Sequence, residues 1–160
     1  MKRLVVSLVF ALAAGLPALA DDVLFAQPPS PGPGQSNAST PSLGDIMGTT
    51  QMRHIKLWYA IKAKNWGLVK YELDQLKDSF DNAAILYRNI PIDYIASVQK
   101  PLAALREGAE SKNGAKSEKA YAELTKSCNS CHEGAEIGFI LIQTPTYSPF
   151  SDQKFAPAGK

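Results

Sequence analysis

The ten residues TKSCNSCHEG, positions 125–134, hold both cysteines of the chain, Cys128 and Cys131, and one of its two histidines, His132. Two cysteines three positions apart serve three chemistries: a redox dithiol, half of a zinc site, or covalent attachment of haem. A thioredoxin-like dithiol needs a βαβ setting, with the first thiol at a helix N-terminus that lowers its pKa. Here a helical pattern begins about three turns before Cys128, so both thiols fall in mid-helix. A structural zinc site needs about four ligands. This chain would have to recruit His54 from a distant segment, and neither the ligand count nor the spacing is typical of zinc.

Haem accounts for all three residues together. On a helix, Cys131 and His132 follow Cys128 by three and four positions, so the three side chains project to one side. The thiols add across the vinyl groups of haem as thioethers, and the imidazole reaches the iron. A chance Cys-x-x-Cys-His in a chain of this length is expected on the order of once in a thousand sequences, given ordinary Cys and His frequencies. The expectation is one covalently bound haem c, tethered by Cys128 and Cys131, with His132 as the proximal iron ligand.

The elements that must present this motif read as helices. A first segment runs from about Asp45 to Trp66, with Ser42 or Asp45 as N-cap and Met47, Ile55, Trp58, Tyr59 and Ile61 on one side. In a second, Val69, Leu73, Leu76, Phe80, Ala83 and Tyr87 recur at spacings of four and three, a seam that no strand produces. The third starts after Pro91 and ends near Lys112, where Asn113-Gly114 is a stop signal; Pro101 inside it implies a kink or a break. The fourth runs from about Ser117 through the motif towards Phe139 or Ile142. Short connections make neighbouring helices antiparallel. The predicted fold is all-α, an up-down four-helix bundle over residues 44–142 with haem on the fourth helix. Trp58, Tyr59, Trp66 and Phe80 read as core, and Lys62, Lys64, Lys116, Lys119 and Lys126 as a solvated face.

With four helices and a late CNSCH, the chain resembles the cytochrome c′ family, the class II c-type cytochromes. The resemblance covers about Asp45 to Ile142. It implies a haem inside the bundle, His132 on one iron face and the first helix over the other. Some members leave that second face open and bind small gases such as NO and CO; others supply a methionine and transfer electrons. Family members often carry an arginine one turn before the distal residue, where this chain has Gln51 before Ile55. Only 28 residues follow His132 and none is methionine. The sixth position therefore lies between His54, Met52 and an open or Ile55-covered face. Lys126 and Arg53 are the residues considered for a haem propionate.

Outside the helices, residues 1–20 have the layout of a secretory signal peptide: Lys2 and Arg3, an apolar run, and Ala18-Leu19-Ala20 before the cleavage point. Residues 21–43 form a leader rich in Pro, Gly and Ser, expected to be disordered. Residues 143–160, with Pro145, Pro149 and Pro157, form an extended tail whose aromatics can lie against the bundle. Cleavage removes two of the 17 basic residues and leaves 15, equal to the 15 acidic ones. That balance gives no reason to expect nucleic acid as a partner. No membrane span is expected after cleavage, and a bacterial source would place the protein in the periplasm. The functional expectation is a soluble monohaem electron carrier, not an enzyme, serving redox partner proteins. The alternative is a gas-binding haem protein, and a homodimer is left open.

Overall fold

A computed structural model describes residues 40–159. The segments expected to be a signal peptide and, but for its last residues, a leader lie outside the described residues. Four helices follow in order: α1 (Leu43–Lys62), α2 (Trp66–Leu86), α3 (Ile92–Glu110) and α4 (Gly114–Gly134), with no strand among the described residues. Each helix packs on its chain neighbours, and α1 closes the ring against α4. Cross-helix pairs give the directions. His54 meets Thr125 while Lys62 meets Glu118, so α1 and α4 run antiparallel. Lys116 with Glu107 and Ser127 with Ser97 show the same for α3 and α4. None of the described helices is long and apolar enough to cross a membrane.

Helix α1 opens on a reciprocal cap. Ser42 Oγ accepts from the Asp45 N–H at 3.1 Å, and the Asp45 carboxylate accepts from the Ser42 N–H at 3.0 Å. Both residues expected as caps take part, which satisfies two of the orphan donors at once. Its buried stripe is Ile46, Thr50, His54, Leu57 and Ile61; Met47, Ile55, Trp58 and Tyr59 are only half-buried. The apolar residues alone misplaced that stripe, because two of its members are polar and satisfied internally.

Two corners share one design. Helix α1 ends at Lys62, so Trp66 belongs to α2 and not to the first helix. Lys64 turns left-handed at φ 53°, while the Lys64 N–H reaches the Ile61 carbonyl and the Asn65 N–H reaches that of Ala60, both at 2.9 Å. After α3, Lys112 turns at φ 51°, and Asn113 N–H bonds the Gly108 carbonyl at 2.8 Å. These are Schellman ends, in which the last carbonyls find partners beyond the helix. Each asparagine then caps the next helix: Asn65 Oδ1 accepts from Leu68 N–H, and Asn113 Oδ1 from Lys116 N–H. Asn113-Gly114 is therefore a start as well as a stop, and α4 begins three residues earlier than Ser117.

Helix α3 continues through Pro101, which is buried within it. Proline has no N–H for the carbonyl four residues back, which belongs to Ser97. The Ser127 hydroxyl of α4 donates to that carbonyl at 3.4 Å. Neighbour packing thus supplies a donor where the helix lacks one, and the helix does not break.

The core joins Leu57 and Ile61 of α1, Val69, Leu73, Leu76 and Phe80 of α2, Val98, Leu102 and Leu105 of α3, and Tyr121 and Leu124 of α4. Trp58 and Trp66 pack on it while partly exposed. After α4 the tail has no regular structure but lies along α1. Lys56 sits over the Phe150 ring at 4.7 Å, Tyr59 and Phe155 have ring centroids 5.5 Å apart, and Asn65 Nδ2 donates to the Phe155 carbonyl at 3.1 Å.

Candidate functional site

The motif occupies the last two turns of α4. Cys128, Cys131 and His132 are half-buried, and both cysteines are free thiols. Burial, with Cys131 beside it, pushes the Cys128 thiol up to about 11; burial also raises that of Cys131. Both are protonated at neutral pH, the opposite of the low-pKa thiolate a redox dithiol requires. Among the described residues no three His, Cys, Asp or Glu side chains converge as a metal-ion site. A haem brings its own equatorial nitrogens and asks the chain for thioethers and axial ligands only.

Helix α4 stops sooner than its pattern indicates. It ends at Gly134, with Glu136 left-handed at φ 60°. Ile137 N–H bonds the His132 carbonyl at 2.9 Å and Glu136 N–H that of Glu133 at 3.1 Å, a third Schellman end. The expected continuation to Phe139 or Ile142 is replaced by a reversal. At Gly134 the Tyr94 hydroxyl of α3 packs where a Cβ would otherwise stand.

The reversed segment, residues 137–142, is fastened to the motif at two points. His132 Nδ1 lies 2.7 Å from the Ile140 carbonyl. A carbonyl only accepts, so Nδ1 carries the proton, and in the neutral tautomer this selects the lone pair lies on Nε2. Metal-ligating histidines commonly use such a bond to fix tautomer and ring orientation. Asn129, between the two cysteines, makes the second fastening. Its Nδ2 donates to the Ile142 carbonyl and its Oδ1 accepts from the Ile142 N–H, each at 2.8 Å. Beside these bonds Phe139 and Leu141 are 83% and 74% exposed, an apolar surface next to the histidine.

His54 is 3% exposed and belongs to a hydrogen-bonded network with α4. Its Nε2 lies 2.9 Å from the Thr125 hydroxyl, which also reaches the Tyr121 carbonyl at 3.0 Å. Its Nδ1 lies 2.9 Å from the Tyr121 hydroxyl, which also reaches the His54 carbonyl at 3.2 Å, and the two rings stack with centroids 4.4 Å apart. Burial lowers the His54 pKa to about 4, so the ring is neutral. Both of its nitrogens are engaged, and ligation through either would break one of these bonds. Thr125 precedes His132 by seven residues, about 10 Å of helix rise. Met52 is 44% exposed, and Ile55 is half-buried.

The Tyr121 hydroxyl is raised in pKa chiefly by burial and then by Cys128 and Tyr59. Tyr59 Oη is buried without a hydrogen-bond partner. Arg53 faces α2, with Glu72 and Gln75 each at 3.3 Å, while Lys126 is exposed. Sequence reasoning gave no role to Asn129, Thr125 or the Ile140 carbonyl. Only the position of Asn129 inside the motif could have drawn notice. No family model, curated protein or solved structure matches the chain.

Proposed function

We propose that the protein is a c-type cytochrome carrying one haem, bound through Cys128 and Cys131 and ligated by His132, and that it relays single electrons between partner proteins. The observation that carries this reading is the Nδ1 bond of His132 to the Ile140 carbonyl, which leaves Nε2 available within one turn of two protonated thiols. The donor set suits haem c. Each thiol adds S–H across a vinyl double bond, with sulfur to one carbon and hydrogen to the other, so no oxidant is needed. When bound, the haem iron supplies a one-electron couple. The chain's share is to orient the imidazole, to tether the ring, and to present apolar side chains beside it.

The gas-binding alternative has one observation in its favour. His54, the histidine considered for the sixth position, is committed through both nitrogens to Thr125 and Tyr121. An iron face without a protein ligand accepts carbon monoxide or nitric oxide, whereas six-coordinate low-spin iron suits electron transfer. Optical spectra of the holoprotein with and without carbon monoxide separate the two. A low-spin spectrum unchanged by carbon monoxide supports the carrier, and the His54→Ala and Met52→Leu variants then show which side chain ligates. A high-spin, carbon-monoxide-reactive wild type would overturn the carrier and favour the gas binder.

A further inference from the structure

We propose that Asn129 is a positioning residue for His132, acting through the backbone of residues 140–142. This rests on the haem reading above and adds to it a device that tunes the ligand.

His132 fixes its imidazole against a carbonyl outside its own helix. That carbonyl belongs to Ile140, whose own N–H closes a turn on the Ile137 carbonyl at 2.9 Å, while the backbone that follows it is irregular. Asn129 anchors the segment beyond that turn. It lies three residues before His132, on the same side of α4. Its carboxamide reads both backbone groups of Ile142, two residues beyond the acceptor, at 2.8 Å each. Donor and acceptor of one planar group engage donor and acceptor of one residue, so the position of the segment is set as well as its proximity. At the other end, the left-handed Glu136 and the Ile137-to-His132 bond fix where the segment leaves the helix. Ile140 lies between these anchors, and its carbonyl meets Nδ1.

The chemical consequence follows from the direction of the bond. A donor Nδ1–H engaged by a carbonyl makes Nε2 a stronger electron donor. A stronger donor favours ferric over ferrous iron. Losing the Asn129 anchor should therefore favour the ferrous state.

The test compares full-length wild type with Asn129→Ala, Asn129→Asp and Ile142→Ala. In the haem-loaded protein, Asn129→Ala should shift the ferric–ferrous ratio about three- to tenfold towards ferrous, a rise of roughly 30–60 mV at 59 mV per tenfold. The His132 Nδ1 proton should exchange with solvent at least about tenfold faster, as expected for loss of a sheltering hydrogen bond. Asn129→Asp retains the acceptor for the Ile142 N–H and should show a smaller effect of the same sign, so the idea does not depend on one variant folding. Ile142→Ala should change neither readout, because both bonds go to backbone. An Asn129→Ala protein with wild-type potential and wild-type proton exchange would overturn the proposal. Failure of the haem reading is separately visible as a wild-type chain that takes up no haem. Nitrogen NMR of that chain then decides the positioning role. Wild type should hold His132 protonated on Nδ1, and Asn129→Ala should move the proton to Nε2; an unchanged tautomer would again overturn it.

Discussion

His54 shows how a single residue can serve the fold while looking like a ligand. It is one of two histidines and faces the interior from α1, so its type invites an iron-binding role. Its hydrogen bonds show a different use: Thr125 bonds one ring nitrogen, Tyr121 bonds the other, and the ring stacks on Tyr121. Burial lowers its pKa from 6.5 to about 4, which links it to stability. Below pH 6.5 the unfolded chain takes up a proton that the folded chain refuses until about pH 4. This contribution is therefore complete above 6.5 and is lost as pH falls through that window. At 1.36 kcal/mol per unit, the loss approaches about 3 kcal/mol. Denaturant unfolding from pH 7.5 to 4.5 should show it, and His54→Gln should flatten the profile. Parallel profiles for the two proteins would contradict this account of His54.

At the scale of elements, the connections decide where the chemistry sits. Lys64, Lys112 and Glu136 all take the left-handed turn that glycine adopts at least cost. Lys64→Gly and Lys112→Gly should each stabilise the protein by roughly 0.5–1 kcal/mol, measured as a rise in the urea midpoint at unchanged slope. A fall in either midpoint would mean that the lysine side chain contributes something the turn geometry does not reveal. The helices themselves were legible in the sequence: the Val69-to-Ala83 seam is buried as its spacing implied, and Ser42 with Asp45 caps α1. The ends of the first and fourth helices were not. Charged residues in place of glycine hid the turns, and the helical rhythm of Tyr121, Leu124, Cys128, Cys131 and Ala135 carries no mark of the reversal at Glu136. Pro101 misled in the other direction, because the donor that serves the Ser97 carbonyl comes from another helix. The motif could be read from residue types alone; its support by Asn129 and the Ile140 carbonyl depends on contacts that spacing does not encode.

Across residues 40–159, the tail acts as a strap that returns from the end of α4 to the first corner of the bundle. Phe150 meets Lys56, and Phe155 meets Tyr59 and Asn65. An aromatic pair contributes roughly 0.5–1.5 kcal/mol and an exposed cation–π contact about 0.5–1. A chain ending at Thr146 should lose about 1–3 kcal/mol of stability while keeping its helix content by circular dichroism. Unchanged stability would show that the strap lies on the bundle without holding it. The fold as a whole brings the start of α1, the end of α2, the start of α3 and the motif to one end, where Ile85, Ile92, Phe139 and Leu141 are exposed. A covalent haem at this end would stay with the polypeptide when the protein unfolds, so the fate of haem after denaturation decides the reading. The full-length chain, produced with intact haem-attachment machinery, is extracted with acid acetone and weighed by mass spectrometry. The expected result is a polypeptide heavier by one haem, still haem-stained after denaturing electrophoresis, and a Cys128→Ala, Cys131→Ala double variant that retains none. A wild-type polypeptide at its unmodified mass, with both thiols free, would contradict it.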